Sequence, residues 1–275
     1  MAIDLHLHST SSDGVLTPKE LVDKAVNLNL RAIAITDHDS VEGVAVALEE
    51  GKLKGIEIVP AVELSSGLDC RDIHFLGYYI DHRNKKFCQQ LVELRKYRTE
   101  RASKMVELLQ KNNIGIPFEE VLNAAGNGSL SRAHVAKVMV NRGYIDSIEE
   151  AFEKYIGREG PCFVEKYYFA PQKVIEMIVK TGGIAVLAHP GLSEVDDYIP
   201  KFISYGIKGI EVLHGEHTEE QSKYYLELAK KYNLIPTGGS DYHGLKRSKR
   251  GREIGSINVP DSYLDGLKKI KTSKI

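Results

Sequence analysis

A pattern repeated along the chain narrows the fold most: a short apolar segment that ends on histidine or a carboxylate. In Ile3-Asp-Leu-His-Leu-His8 the apolar residues alternate with polar ones, so Ile3, Leu5 and Leu7 share one face of a strand and Asp4, His6 and His8 the other. Residues 32–36 run into Asp37-His38-Asp39, and residues 56–64 carry Glu63 at their end. Residues 73–80 have His74 near their start. Residues 184–188 lead to His189, 209–213 to His214, and 234–237 to Gly-Gly-Ser-Asp241-Tyr-His243. Helical patterns separate most of these segments. Thr17-Pro-Lys-Glu20 opens one helix with an N-cap, a proline at the first position and a capping glutamate. Ser40 is placed to cap the next, and Thr218-Glu-Glu-Gln221 opens another that runs to about Tyr232. Strands alternating with helices imply an α/β sheet of parallel strands. His6 and His8 need a polar interior face, so a closed seven-strand barrel fits better than an open sheet.

Residues 97–170 break the alternation and read as consecutive helices over 99–111, 117–125, 131–142 and 147–156. The last opens on Ser147-Ile-Glu-Glu150, a capping box. The expected organisation is therefore a barrel built from 1–96 and 171–275, with a small all-helical insert at 97–170 covering the active site. With 42% apolar and 27% charged residues the chain is globular in composition. No apolar run approaches a membrane span, and the first residues lack the pattern of a signal peptide. Lys plus Arg (37) and Asp plus Glu (38) nearly cancel, which argues against a long nucleic-acid track, while a short oligomer needs only a few contacts. Cys70, Cys88 and Cys162 are odd in number and widely spaced, which fits a reducing cytoplasm rather than a disulfide scaffold. No membrane partner and no obligate protein partner is expected.

His6 and His8 lie on one strand face, about 7 Å apart along the chain. Each alone would read as a hydrogen-bonded polar residue; together they can close on one ion. The set His6, His8, Asp13, His38, Glu63, His74, His189, Asp241 and His243 follows successive strands and converges at one end. Without cations the carboxylates of Asp13, Glu63 and Asp241 would crowd and raise one another's pKa. Three divalent ions would outweigh those three charges and leave a trap for phosphate. Mixed nitrogen and oxygen ligands suit Zn, Mn or Fe, and the lack of cysteine ligands argues against a closed structural zinc site.

Six motifs carry a resemblance: Asp4-Leu-His-Leu-His-Ser-Thr-Ser-Ser-Asp-Gly14, Ile35-Thr-Asp-His-Asp39, Pro60-Ala-Val-Glu63, Ile73-His-Phe-Leu-Gly77, Leu187-Ala-His-Pro-Gly191 and Gly239-Ser-Asp-Tyr-His-Gly244. In these the chain resembles the PHP (polymerase and histidinol phosphatase) superfamily of metal-dependent phosphoesterases. The resemblance implies a distorted (β/α)7 barrel with a trinuclear site and two to three divalent ions. His6, His8, Glu63 and Asp241 would hold one ion, and Asp13, His38 and His243 a second. A bridging Glu63 with His74 and His189 would hold the third. The insert, Ser129-Leu-Ser-Arg132-Ala-His134 and Gly157-Arg-Glu-Gly-Pro-Cys-Phe-Val-Glu-Lys166 are similar to the TrpH-like branch. That branch implies hydrolysis of nucleotide phosphate esters by a metal-activated hydroxide. Its substrates are 3′,5′-bisphosphates such as pAp or short 5′-phosphorylated oligoribonucleotides. Histidinol-phosphate phosphatase is the alternative within the family. An amidohydrolase-type barrel, which also begins with His-x-His and attacks C–N bonds, is the alternative outside it.

A nucleotide with two phosphates needs a second anion site. Ser131 reads as an N-cap with Arg132 and His134 in the first turn, where basic residues disfavour the isolated helix and a bound phosphate would offset that. Lys166, Arg98 and Arg101 are weaker candidates, since most such residues are simply solvated. His214 and His217 follow the sixth strand and face the same mouth, where His217, like Arg132 and His134, is a candidate assistant in catalysis. Asp39 is expected to orient a histidine. Tyr78-Tyr79, Tyr167-Tyr168 and Tyr224-Tyr225 are candidates for base stacking or for plain packing.

Overall fold

A computed structural model describes residues 2–69, 71–126, 128–244 and 253–273; Cys70 lies outside the described residues. Seven strands form one sheet in chain order: β1 (Ile3–Leu7), β2 (Ala32–Ile35), β3 (Glu57–Leu68), β4 (Arg71–Tyr78), β5 (Ile184–Leu187), β6 (Gly209–His214) and β7 (Ile235–Gly239). The ends of the sheet meet: Leu7 bridges Tyr242, and the Asp241 N–H donates to the His6 carbonyl. The result is a nearly closed barrel.

The sheet is mixed rather than wholly parallel. No helix separates β3 from β4, which pair antiparallel from Ala61↔Tyr78 to Leu68↔Arg71, and β4 is also antiparallel to β5. The alternation of strand and helix thus holds for the other strands and fails at this hairpin. The reversal explains why His74 sits near the start of its segment. In a strand that runs backwards, the N-terminal part lies at the mouth where the other strands end.

Helices α1 (Pro18–Asn27) and α2 (Val44–Lys54) follow β1 and β2. Thr17 caps α1 in a full capping box with Glu20. Ser40 does not cap α2; the cap position is Gly43, whose missing Cβ would meet Pro18 Cγ and Ser11 Oγ at 2.9 Å. Helix α3 (Lys85–Lys111) begins well before residue 99 and runs from the barrel wall into the insert. It is followed by α4 (Phe118–Ala125), α5 (Arg132–Asn141), α6 (Ile148–Ala151) and a π turn over Phe152–Ile156. The Ser147 box is half made: Ser147 Oγ accepts the Glu150 N–H, but the Glu150 carboxylate accepts from Asp146 instead. The chain returns through α7 (Pro171–Lys180), α8 (Pro190–Ser193), a 3-10 turn at Asp196–Tyr198, α9 (Ile199–Tyr205), α10 (Glu219–Lys231, with the expected Thr218–Gln221 box) and α11 (Asp261–Ser273).

The barrel interior is apolar below the mouth, with Leu5, Ala34, Ala61, Leu76, Tyr78 and Val186 fully buried. Residues 102–162 form an apolar cluster of their own around Leu109, Val121, Val135, Met139 and Ile156. They dock on the loop after β1, where the Ser129 N–H donates to the Ser11 carbonyl at 3.0 Å. A Cβ at Gly128 would lie 2.7 Å from the Thr10 carbonyl oxygen, so only glycine permits this approach.

Candidate metal centre

Each strand end delivers its polar side chain to one buried cluster. Glu63 is at the centre. Its Oε1 lies 2.9 Å from both His74 Nδ1 and His189 Nε2. Its Oε2 lies 2.9 Å from His38 Nδ1, 3.2 Å from His8 Nε2 and 3.5 Å from His6 Nε2. Asp241 Oδ1 is 3.1 Å from His8 Nε2, and Asp13 Oδ1 is 3.3 Å from His243 Nε2. The nine residues expected to converge are thus together, all within a few ångströms of Glu63, Asp241 or Asp13. Asp39, His189 and Asp241 take positive φ (51°, 25° and 53°), a conformation that turns the backbone sharply where strands end.

Two ligand atoms that each lie about 2.0–2.2 Å from a shared ion are about 3.0–3.5 Å apart, the spacing found here. Nε2 of His6, both ring nitrogens of His8 and Nε2 of His243 are buried without hydrogen bonds. Buried ring nitrogens left without hydrogen-bond partners are costly, and a cation that met them would remove that cost. Among the described residues four overlapping groups of donors lie close enough to hold an ion: His6, His8 and Asp241; His8, Asp13, His38 and His243; His38, Glu63 and His74; and His6, Glu211 and His214. The donor set therefore fits divalent metals. Burial works to raise Glu63 and Asp241, yet the surrounding imidazoles (chiefly His38 for Glu63 and His243 for Asp241) hold both carboxyls well below their usual range. Against their own burial, His8 and His74 are pushed up to about 9 by neighbouring carboxylates, chiefly Asp241 and Glu63 for His8 and Glu63 and Asp72 for His74.

Outer residues fix the ligands, and several escape a reading of the sequence. Glu211, fully buried on β6, places Oε1 2.9 Å from His6 Nδ1, and its Oε2 accepts the His189 N–H at 2.8 Å. This fixes the ring so that His6 Nε2 faces the cluster. The only hint in the sequence is a lone carboxylate inside the apolar run Gly209-Ile-Glu-Val-Leu213. Asp37 accepts from Ser9 N, Ser9 Oγ and Ser12 Oγ at 2.6–2.8 Å and so ties down the loop that carries Asp13. Asp4 accepts from Ser240 N and Gly255 N, each at 2.9 Å, and steadies the segment before Asp241.

Asp39 does not orient a histidine. It accepts from Arg98 Nε at 2.6 Å and from the Ser65 N–H at 2.9 Å, and Arg98 Nη2 donates to Ser65 Oγ at 2.7 Å. His214 reaches the cluster, with Nε2 3.3 Å from Asp241 Oδ2. His217 is placed differently: Nδ1 lies 2.9 Å from the Val212 carbonyl, and Nε2 accepts the Gly191 N–H at 3.3 Å. With both nitrogens on main chain, it braces the loop after His189.

Beside the cluster is a cavity of about 220 Å³ lined by Asp13, His38, Asp72 and His74 together with Arg98, Arg101, Arg132 and Lys166. Lys166 pairs with Asp72 at 3.1 Å, and Asp72 lies 3.2 Å from His74 Nε2. Arg101 donates to the Val164 carbonyl and lies over Phe163; Arg132 donates to the Ile156 carbonyl and lies over Phe152. Neither arginine has a carboxylate within ion-pair distance among the described residues. Burial, with Arg132 and Arg98 adding, pulls Arg101 down to about 10, and burial also lowers Arg132 and Lys166. An adjoining cavity of about 260 Å³ continues past Arg101 and Arg132 to Arg71, Arg158, Phe163 and Tyr168.

Ser131 caps α5, as expected, its Oγ accepting the Ala133 N–H. His134 is placed differently from Arg132. Its Nδ1 accepts the Ser131 N–H at 3.0 Å, completing a capping box with histidine in the usual glutamate position, and the ring borders a different cavity. Of the tyrosines, Tyr167 stacks on Tyr97 and Tyr168 lies beside Lys166. No helix among the described residues is long and apolar enough to cross a membrane.

Comparison with known proteins gives a consistent picture. Residues 4–160 match the model of the PHP domain. The chain is 32% identical over 247 residues to the 5′-3′ exoribonuclease Rnm of Escherichia coli, covering 87% of this chain and 84% of that one. It is 32% identical over 259 residues to a 3′,5′-nucleoside bisphosphate phosphatase of Chromobacterium violaceum, covering 92% and 90%. Two solved structures superpose over 98% of the chain. One is assigned as a metal-dependent phosphoesterase, from Bifidobacterium adolescentis (TM-score 0.90, 27% identity, 96% of that chain). The other is described as an amidohydrolase, from Chromobacterium violaceum, with bound sulfate and no metal (TM-score 0.89, 29% identity, 97% of that chain).

Proposed function

The chain belongs to the PHP domain family, and from that premise we propose that it is a cytoplasmic phosphoesterase that hydrolyses the phosphate ester on the 3′ side of nucleotides bearing a phosphate at the 5′ position. The substrates are 3′,5′-bisphosphates or the 5′ ends of short oligoribonucleotides. One observation carries the reading: Arg101 and Arg132, half-buried and without an ion-paired carboxylate among the described residues, line a cavity of about 220 Å³ with Asp13, His38 and His74. A partly desolvated cation without an ion pair is unfavourable; a phosphate placed there would be held by charge-assisted hydrogen bonds. The free thiols of Cys88 and Cys162 fit a reducing compartment.

In this reading His6, His8, Asp13, His38, Glu63, His74, His189, Asp241 and His243 hold two to three ions of Mn, Zn or Fe. Such ions supply an ionised water at neutral pH and offset charge on the phosphoryl oxygens. The protein's own part is placement. Glu211 fixes His6, and Asp37 fixes the loop of Asp13. Residues 97–170 act as the substrate-selecting insert: Arg132, Arg101 and Lys166 bind the remote phosphate, and Ser131 holds the first turn of α5 in place. Binding at the remote phosphate orients the ester at the ions, which lowers the barrier by removing rotational freedom before reaction.

The test is phosphate release from adenosine 3′,5′-bisphosphate with Mn²⁺, beside L-histidinol phosphate and an amide substrate, with and without chelator. Chelator-sensitive turnover of the bisphosphate is expected. Turnover of histidinol phosphate or of the amide alone would overturn the proposal.

A further inference from the structure

Arg101 and Arg132 line two cavities, and so does Asp72. The first is the cationic cavity beside the metal ligands. The second, of about 260 Å³, adds Arg71, Arg158, Phe163 and Tyr168. Four guanidinium groups therefore border it, against the two carboxylates of Asp72 and Glu194. Asp72 acts on Arg101 and Arg132 from a distance, but it is already engaged by Lys166 at 3.1 Å and lies 3.2 Å from His74 Nε2. Glu194 is exposed. Arg71 opens β4, half-buried, with its guanidinium 6.0 Å from the centre of the Tyr198 ring. Arg158 sits in a turn built to hold its shape. The Gly157 N–H donates to the Phe152 carbonyl at 3.0 Å, and the Gly160 N–H to the Gly157 carbonyl at 2.9 Å. A Cβ at Gly157 would collide with the Phe152 carbonyl oxygen, and one at Gly160 with that of Tyr155, so glycine on both sides lets the turn close.

The charge of this space selects its occupant. The Arg101 guanidinium lies 5.5 Å from the centre of the Phe163 ring, and Lys166 Nζ lies 5.1 Å from that of Tyr168, so each ring already has a cation on one face. A neutral base would add nothing to offset four guanidinium groups; a second phosphoryl group would, through charge-assisted hydrogen bonds. In the proposed function Arg101, Arg132 and Lys166 bind the 5′-phosphate. A monophosphate ends there, whereas a diphosphate continues through its bridging oxygen into the adjoining cavity. We propose that this cavity is a distal anion site for the second phosphoryl group of a 5′-diphosphate, with Arg71 and Arg158 as its ligands. The chain then hydrolyses the 3′-phosphate of nucleosides that carry a 5′-pyrophosphoryl group as well as of those with a single 5′-phosphate. This inference rests on the proposed function.

The bond change is confined to the 3′ position. The oxygen of water bonds to the phosphorus of the 3′-phosphate, and the bond from that phosphorus to O3′ breaks. O3′ leaves with one proton of the water, and the other stays on the hydrogen phosphate released. The 5′-anhydride is untouched, so the second product is a nucleoside 5′-diphosphate.

The experiment compares wild type, Arg158→Ala and Arg71→Ala, with Mn²⁺, on adenosine 3′,5′-bisphosphate and adenosine 3′-phosphate 5′-diphosphate, with circular dichroism to check folding. Arg158 is exposed in a turn, so its variant keeps the test valid if loss of Arg71 disturbs β4. In wild type, kcat/KM for the diphosphate should equal or exceed that for the bisphosphate, with ADP and inorganic phosphate as products. The ratio of the two should fall about tenfold in each variant, as for loss of one charge-assisted contact, with the value for the bisphosphate unchanged. Calorimetry on the metal-free chain reads the same site without turnover. ADP should bind about tenfold more tightly than AMP in wild type, and no more tightly in Arg158→Ala. A ratio that Arg158→Ala leaves in place, or ADP bound no more tightly than AMP by wild type, would overturn the inference. So would release of adenosine 3′,5′-bisphosphate from the diphosphate, which would put the anhydride at the metal ligands. Wild type that hydrolyses the bisphosphate but not the diphosphate would overturn it and leave the proposed function standing. Hydrolysis of neither would overturn both.

Discussion

The mouth of the barrel and the helical insert face each other across one cavity but are built on different principles. At the mouth, ligands come from the ends of different strands, and most have a second contact that fixes their direction: His6 through Glu211, His243 through the Asp241 carbonyl at 2.9 Å. Charges there nearly answer one another, since Glu63 touches five imidazoles. In the insert, Arg101 and Arg132 rest on main-chain carbonyls and aromatic faces and form no ion pair among the described residues, although Asp72 on the same cavity acts on both from further away. Metal coordination demands closed geometry with tight distances. Selection of an anionic substrate demands charge held ready. In the proposed function this difference places catalysis and choice of substrate in separate parts of one chain, so that each should be open to disturbance without the other.

The largest disturbance is expected at the mouth. Glu63→Gln removes the charge shared by five rings and should lower kcat on every phosphoester by about 10³-fold or more, comparable to the loss of a principal charge-stabilising group. Steady-state kinetics with saturating Mn²⁺ checks this, and a loss confined to doubly phosphorylated substrates would break the division. Next is Glu211→Gln, which keeps the shape but weakens the hold on His6. Metal affinity should fall about 10–100-fold, read by titration with Mn²⁺; unchanged affinity would show that His6 needs no support.

In the insert the expected effects are smaller and selective. Arg132→Ala should raise KM for adenosine 3′,5′-bisphosphate about tenfold, the value of one charged contact, with a weaker effect on adenosine 3′-monophosphate. Equal effects on the two would place Arg132 in the chemistry itself. Ser131→Ala is the mildest, removing the cap on α5 and costing about 1 kcal/mol of stability. Thermal melting reads this, and a loss of metal binding in the same variant would blur the boundary between the two regions.

The same division governs what was legible in the sequence. The convergence of the nine expected residues was legible because each stands beside an apolar strand in a short motif, and strand and chemistry are both local signals. The β3–β4 hairpin was not legible: both its strands are apolar segments like the others, and strand direction depends on pairing across the sheet. Glu211, Asp37 and Asp4 were missed because they act through partners 22 to 251 residues away. Asp39 was seen but given the wrong partner, since nothing local to Thr36-Asp-His-Asp39 signals an arginine on α3. His134 was placed beside Arg132 on sequence grounds. Two residues apart on a helix they point to different sides, and so they border different cavities.

The central claim is that the barrel hydrolyses and the insert selects. Its most direct test is the ratio of kcat/KM for adenosine 3′,5′-bisphosphate to that for adenosine 3′-monophosphate, in wild type and Arg132→Ala. The ratio should exceed about 10 in wild type, as for one or more charged contacts, and fall toward unity in the variant. A wild-type ratio near unity, or one that Arg132→Ala leaves in place, would contradict the account.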